Sequence, residues 1–358
     1  MNRRRGIAVS MAAATCLAGL CAFAGSPSEG PPASGAPPER ASEGRILVAN
    51  KGDDSLMVFD VPSNTLLATV PVGQEPHEVA ATPDGRKAYV SNVRGKSVSV
   101  VDLKRYKVVA TLRPDRVDYP HGMAITPDGR RLLLTSEGSH RLYLIDTVRD
   151  VVERAVTTSQ AGAHMAALAR EGRRAWIANR GSESVSLYEL PALRVIKTIK
   201  AGPGPEGIAV SPNGRWVVTA LQGAGQVAVI DAGQAQVITR LPAGQTPIRV
   251  AFPPKAPIAL VSNRDSDDVT ILDLAARQVL KTVQVGRRPG GLTTNARGTR
   301  AYVCNNASNS VSIVALPGYE VTGTIEVGRN PDGIAFVAPA PPAKKPPPKK
   351  GTVPGSGA

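Results

Sequence analysis

One unit of 42 to 44 residues, repeated seven times, constrains this chain more than any other feature. The phrase ILVAN at 46–50 returns as AYVSN at 88–92, LLLTS at 132–136, AWIAN at 175–179, VVTAL at 217–221, ALVSN at 259–263 and AYVCN at 301–305. The last residues of these phrases are Asn50, Asn92, Ser136, Asn179, Leu221, Asn263 and Asn305, spaced by 42, 44, 43, 42, 42 and 42 residues. Each unit holds further short apolar runs, such as VVATL at 108–112, and a Pro-Asp-Gly or Pro-Asn-Gly turn, as in PHGMAITPDGRR at 120–131. Proline presets its own φ and glycine accepts a positive one, so these triplets reverse the chain tightly. No stretch carries a helical period. Four short strands per unit at this period predict an all-β fold, a seven-bladed β-propeller of four-stranded antiparallel blades spanning 45–337. The repeats begin on a second strand, 46–50, and finish on an inner strand, 333–337. The ring is therefore predicted to close by pairing these two, which removes two open sheet edges.

Composition agrees with that reading. Hydrophobic residues make up 42% of the chain but aromatics only 4%, so the core must be built from Val, Ile, Leu and Ala, which favours strands. Ten residues after each anchor stands Asp60, Asp102, Asp146, Glu189, Asp231, Asp273 or Ala315, acidic in six of seven units. Short acids at strand ends accept hydrogen bonds from turn amides, so these read as turn formers.

The first 24 residues read as an export signal: Arg3, Arg4 and Arg5, an apolar stretch from Ile7, and Ala22-Phe23-Ala24 as a small-x-small cleavage site. A lipid anchor on Cys21 and a twin-arginine route through Arg4-Arg5 are the minor alternatives. The apolar stretch is short beside the roughly 20 residues of a spanning helix, and no transmembrane span is expected in the mature chain. Residues 25–44 read as a flexible Pro/Ser/Gly linker, and 338–358, with PPAKKPPPKK, as an extended Pro/Lys tail. A periplasmic or extracellular location follows. Beyond the signal only Cys304 remains, so no internal disulfide is available, and its apolar strand marks it as a buried hydrophobe. Of the net charge of +14, residues 45–337 carry 35 basic and 26 acidic side chains, a modest excess that suits acidic partners without an aromatic-interleaved basic stripe.

The phrases AYVSN, SVSVVDL, VVATL and PHGMAITPDGRR resemble the YVTN-repeat β-propeller family, within the superfamily of quinoprotein amine dehydrogenase β-chain-like propellers. The resemblance covers 45–337 and implies the fold; one propeller architecture hosts unrelated activities, so it says little of function. It also implies that the GIAVS-like strand is innermost and begins at the face where binding sites gather. Units three and five depart from the pattern, with Ala169-Arg170-Glu171-Gly172 and Pro253-Pro254-Lys255-Ala256 in place of the usual turn, and less regular loops are expected there.

Position by position, the start of that inner strand reads His77, His121, His164, Glu206, Ile248, Gly290 and Asp332. Three of the four histidines occupy it on consecutive blades. A metal at His77, His121 and His164 is one reading, with zinc or copper as the ion; a small polar ligand is another, and structured channel water a third. Without an acid or a metal the three imidazoles should lower one another's pKa, which Glu206 and Asp332 would oppose. Arg94, Arg180 and Arg264 in the upper loops complete the expected ligand-binding set. No catalytic motif is found: no Gly-x-Ser-x-Gly, no His-Glu-x-x-His, no phosphate loop, and no Cys-x-x-Cys-His, which argues against covalent haem. The expected function is an exported, monomeric, non-catalytic scaffold that binds a small ligand, a metal ion or an envelope protein. The alternatives are a metal-dependent lactonase or lyase, a redox subunit, or electrostatic binding of nucleic acid or another anionic polymer.

Overall fold

Strands alternate their side chains between two faces, and in this chain both faces of the AYVSN-like strand are apolar. Such a strand needs cover on both sides, and the computed structural model supplies it as a closed ring of sheets. The structure describes residues 42–339. The signal read at 1–24, and all but a few residues of the segments at 25–44 and 338–358, lie outside the described residues.

Among the described residues, twenty-eight strands, β1 (Gly44–Asn50) through β28 (Pro331–Val337), form seven four-stranded sheets, each antiparallel throughout. Blades 2 to 7 are consecutive in sequence. Their inner strands are β4 (Pro76–Ala81), β8 (Pro120–Ile125), β12 (Ala163–Leu168), β16 (Pro205–Val210), β20 (Pro247–Ala251) and β24 (Pro289–Thr294). Blade 1 takes its inner strand from the other end of the propeller: β28 pairs with β1, Arg45 opposite Val337 and Val48 opposite Ile334. That is the predicted closure. Among the described residues the only helical element is a single 3-10 turn, Arg180–Ser182.

The core lies between the blades in seven clusters, one at each junction. Ile46 and Val48 of β1 face blade 7, packing with Tyr302 and Cys304, while Leu47 and Ala49 of the same strand face blade 2, packing with Ala88 and Val90. Period-two alternation thus divides one strand between two cores. Cys304 is fully buried, and burial pushes its thiol well above the usual range, so it is an inert core residue.

The anchors have a local role. Asn92, Asn179 and Asn305 each donate from Nδ2 to two hydroxyls, five and seven residues on, at 2.8–3.1 Å. This ties the hairpin that opens onto the upper face. At the lower face, Oδ1 of Asp102, Asp146 and Asp273 each accepts two turn amides, and Asp231 accepts one, at 2.8–2.9 Å. The turn-former reading of these acids holds. One expected irregularity does not: Ala169–Gly172 keeps the standard turn, with Gly172 N–H donating to Ala169 O at 2.8 Å as Gly129 N–H does to Thr126 O. The Pro253–Ala256 turn is looser, its equivalent bond stretched to 3.5 Å.

Candidate functional site

Every inner strand is bulged at its mouth end. Pairing of β8 with its neighbour runs from Pro120–Ser136 directly to Met123–Leu134, and all seven blades carry one extra residue at this place. A bulge breaks the alternation of side chains and re-aims them. Long side chains of a second, adjacent column, those of Glu78 and Arg249, therefore reach the channel as well. The first column is the set read from the sequence, His77 to Asp332. The second reads Glu78, Gly122, Met165, Gly207, Arg249, Gly291 and Gly333. Its glycines are needed because the blades crowd at the axis: a Cβ on Gly122 would stand 2.6 Å from the carbonyl oxygen of His164.

The residue before each inner strand has positive φ, from 51° at Asn330 to 68° at Gly162, although five of the seven are not glycine. This left-handed conformation is costly for such residues and recurs where geometry matters. It places Tyr119 and Arg288 beside the channel mouth.

The three histidines come together as the sequence predicts, but as a row of mutually tilted rings. The His121 ring lies 4.0 Å from that of His77 and 3.8 Å from that of His164, centre to centre. Their partners differ. His164 Nδ1 meets Glu137 Oε2 at 2.7 Å, and its Nε2 meets Glu206 Oε1 at 3.0 Å. His77 Nε2 lies 3.1 Å from Lys51 Nζ and 3.5 Å from Asp332 Oδ2. His121 makes no hydrogen bond among the described residues, and its Nδ1 is buried without a partner.

The expectation for the imidazoles is met at one ring and reversed at another. Burial, then the neighbouring His164 and His77, drive His121 well below the ordinary imidazole value, so it stays neutral. Burial works the same way on His164, but Glu206 and Glu137 outweigh it and hold that ring above its ordinary value. Glu206 in turn, despite burial, is drawn down to about 2 by His164, Arg249 and Arg180.

Arg249 sits at the centre, wholly enclosed. It pairs with Glu78 and lies 3.4 Å from Glu206 and 3.9 Å from Asp332, so carboxylates from blades 2, 5 and 1 all surround it. Burial opposes the guanidinium, yet Glu78, Asp332 and Glu206 raise its pKa beyond an arginine's usual value. Lys51 closes the cluster with a 2.8 Å bond to Asp332.

The predicted ligand set is thus partly assembled. His77, His121, His164, Glu206, Asp332, Arg180 and Arg264 line one cavity of about 230 Å³, together with Lys51, Arg249, Arg288, Ile248 and Gly290. Arg94 lies outside it, exposed, with Glu75 at 3.6 Å. The three imidazoles do not form a metal triad. The ligand atoms that approach within 4.8 Å are those of His77, Glu78 and His121, while His164 spends both nitrogens on carboxylates. Arg249 against Glu78 and Lys51 against His77 put two positive charges where a dication would stand.

Sequence reasoning missed Arg249, Glu78, Lys51 and Glu137. Arg249 and Glu78 stand one residue beyond the column that was read, and Lys51 and Glu137 one residue after their anchors. Reading the adjacent columns of the repeat would have found all four.

Residues 131–252 match the family model described as Cytochrome D1 heme domain, a stretch that runs from blade 3 to the inner strand of blade 6. No curated protein matches the chain. Among solved structures, the chain is similar to Kuenenia stuttgartiensis hydrazine synthase, with a TM-score of 0.70 and 22% identity over 80% of this chain and 99% of that one. It is also similar to a functionally unknown protein from Desulfotomaculum acetoxidans DSM 771, with a TM-score of 0.73 and 13% identity over 83% and 99%. Both likenesses show the propeller fold. The family match corrects the cofactor expectation, which weighed zinc or copper and argued against covalent haem. The missing Cys-x-x-Cys-His marks only haem attached through thioethers, so its absence cannot set aside the relation to a haem-domain family that the match reveals.

Proposed function

We propose that the channel mouth binds a small anionic molecule and that the protein serves as an exported ligand-binding module of the cell envelope. The observation that carries this reading is the surplus of cations over the cavity. Below, Glu78, Glu206, Asp332 and Glu137 are matched by Arg249, Arg180, Lys51 and the His164 imidazole. Above, Arg264 meets only Asp265, half-exposed at 3.5 Å, and Arg288 forms no ion pair among the described residues. Exposed pairs such as Arg264–Asp265 are weak, so these guanidiniums are free to bind carboxylate or phosphate oxygens. Neutral His121, with no hydrogen bond of its own, supplies a further polar contact. Ile248 and Gly290 leave the space, because they are the two positions of the first column without a polar side chain. Secretion follows from the signal read at 1–24.

Calorimetric titration with acetate and with inorganic phosphate tests this. Saturable binding is expected, weakened at least tenfold in the Arg264→Ala/Arg288→Ala double variant, a loss of about 1.4 kcal/mol or more. Equal affinity in wild type and variant overturns the proposal.

A haem-related or redox role is the second reading, favoured by the match over 131–252, which includes His164, Glu206 and Arg249. The mouth cavity itself does not fit the group. At about 230 Å³ it is smaller than the roughly 300 Å³ at which pockets for drug-sized molecules begin, and His164 spends both nitrogens on carboxylates, leaving His121, enclosed between two other rings, as the one imidazole of the three without a hydrogen bond among the described residues. A macrocycle would need a different seat on the propeller. Absorbance titration with haemin tests this reading: a saturable one-to-one complex supports it, and no spectral change removes it.

A further inference from the structure

Just outside the mouth, between blades 1, 2 and 7, the upper face holds a second cavity of about 490 Å³. The two cavities share two side chains, Lys51 and Asn306. We infer that they are the two halves of one site for an extended, hydroxyl-rich anion of the uronic-acid type, its carboxylate in the mouth and its sugar body in the outer half. This rests on the anion-binding reading above and adds the ligand class.

The outer cavity has no apolar side chain. Besides Lys51 it presents the amides of Gln74, Asn306 and Asn330, the carboxylates of Asp54 and Glu75, and the guanidinium of Arg94. Pockets for drug-like molecules are mostly apolar and aromatic, so this lining selects against them. Amides both donate and accept, carboxylates accept, and arginine donates; together they match hydroxyl groups, which do both.

The frame is held by local bonds, which engage Asn306 through Pro331 O at 3.4 Å and set Glu75 3.6 Å from Arg94. Asp54 Oδ1 accepts the Glu75 amide at 2.8 Å, and Asn330 Nδ2 donates to Asn306 Oδ1 at 3.3 Å. The Gln74 side chain makes no hydrogen bond among the described residues. At the border, the Lys51 ammonium has three donors and spends its strongest bond on Asp332, so it can also reach a ligand oxygen on either side.

Charge decides which extended anion fits. The mouth is positive, but in the outer half the carboxylates of Asp54 and Glu75 offset Lys51 and Arg94, so no net attraction awaits a second negative charge. A nucleic acid or polyphosphate repeats its charge at every unit and would meet them. A sugar acid carries one charge and then neutral hydroxyls, which is the order of the lining from mouth to rim.

The test is calorimetry of the whole protein with four probes: acetate, D-galacturonate, cellobiouronate (one uronate joined to one neutral sugar) and inorganic triphosphate. Affinity is expected to rise at least tenfold from acetate to cellobiouronate, with triphosphate weaker than the saccharide. In the Gln74→Ala/Arg94→Ala variant the advantage of cellobiouronate over acetate should fall to near one; Arg94 is 77% exposed, so the fold is not at stake. Equal affinity for acetate and saccharide, an undiminished advantage in the variant, or tighter binding of triphosphate each overturns the inference while leaving the mouth as an anion site. Failure of all four probes to bind overturns the function proposed above, and this inference with it.

Discussion

Arg249 and Glu78 form an ion pair across the channel, joining the inner strands of blades 6 and 2, which lie 171 residues apart in sequence. Because Arg249 also approaches Glu206 and Asp332, removing it leaves three buried carboxylates without their common counter-ion.

Breaking a buried pair on one side costs more than replacing both partners, because the charge left behind stays desolvated. Arg249→Met is expected to destabilise the protein by about 3–5 kcal/mol, and the Glu78→Gln/Arg249→Met double variant by clearly less. Denaturant midpoints of the two variants check this; equal losses would mean that the pair is not the unit.

Glu206, held at about 2 against an ordinary 4.5, loses its proton more easily in the fold than in the unfolded chain. A depressed acid contributes stability above its unfolded value, lost as pH falls toward about 2. The contribution is at most about 3 kcal/mol, shared with His164, Arg249 and Arg180. Glu206→Gln should therefore flatten the fall in stability between pH 4.5 and 2. His164 has the opposite sign: raised in the fold, it stabilises below about 6.5 and the benefit is lost as pH rises through its folded value. His164→Asn should remove that alkaline decline. Urea midpoints measured across pH for wild type and both variants decide each case.

Closure of the ring through β28 and β1 predicts a contrast between two truncations. Deleting 341–358 should leave the thermal transition unchanged, whereas deleting 330–358 removes β28, opens blade 1 and should abolish cooperative unfolding. Superimposable melting curves for the two would contradict the pairing of Arg45 with Val337.

The anchor asparagines offer a fourth check. Asn92 is buried and donates to Ser97 and Ser99 at 3.1 and 3.0 Å. Asn92→Ala leaves both hydroxyls without that donor and should cost about 1–3 kcal/mol. The exposed Arg86, paired with Asp84 at 3.8 Å, should tolerate alanine within about 0.5 kcal/mol. Thermal melts of the two variants compare the losses directly.

The number of blades, their strand order, the closure at 46–50 and 333–337, and the ring of His77, His121 and His164 were all legible in the sequence. The blade count and the closure depend on repeat spacing and on short strands, properties of the chain read in a line; that the GIAVS-like strand is innermost, which sets the histidines in one ring, is what the resemblance to YVTN-repeat propellers implied. The role of Arg249 was not legible, nor that of Glu78, Lys51 or Glu137. A bulge at the mouth of every inner strand suspends the alternation by which a sequence is sorted into inward and outward residues, and it turns Glu78 and Arg249 of a second column toward the axis. Which carboxylate each cation meets then depends on blades that are distant in sequence and adjacent only once the ring has closed. Tertiary structure likewise separated the three imidazoles, driving His121 well below its ordinary value between its neighbours and holding His164 above its own between Glu137 and Glu206, because the balance of burial and opposite charge is set by contacts across blades.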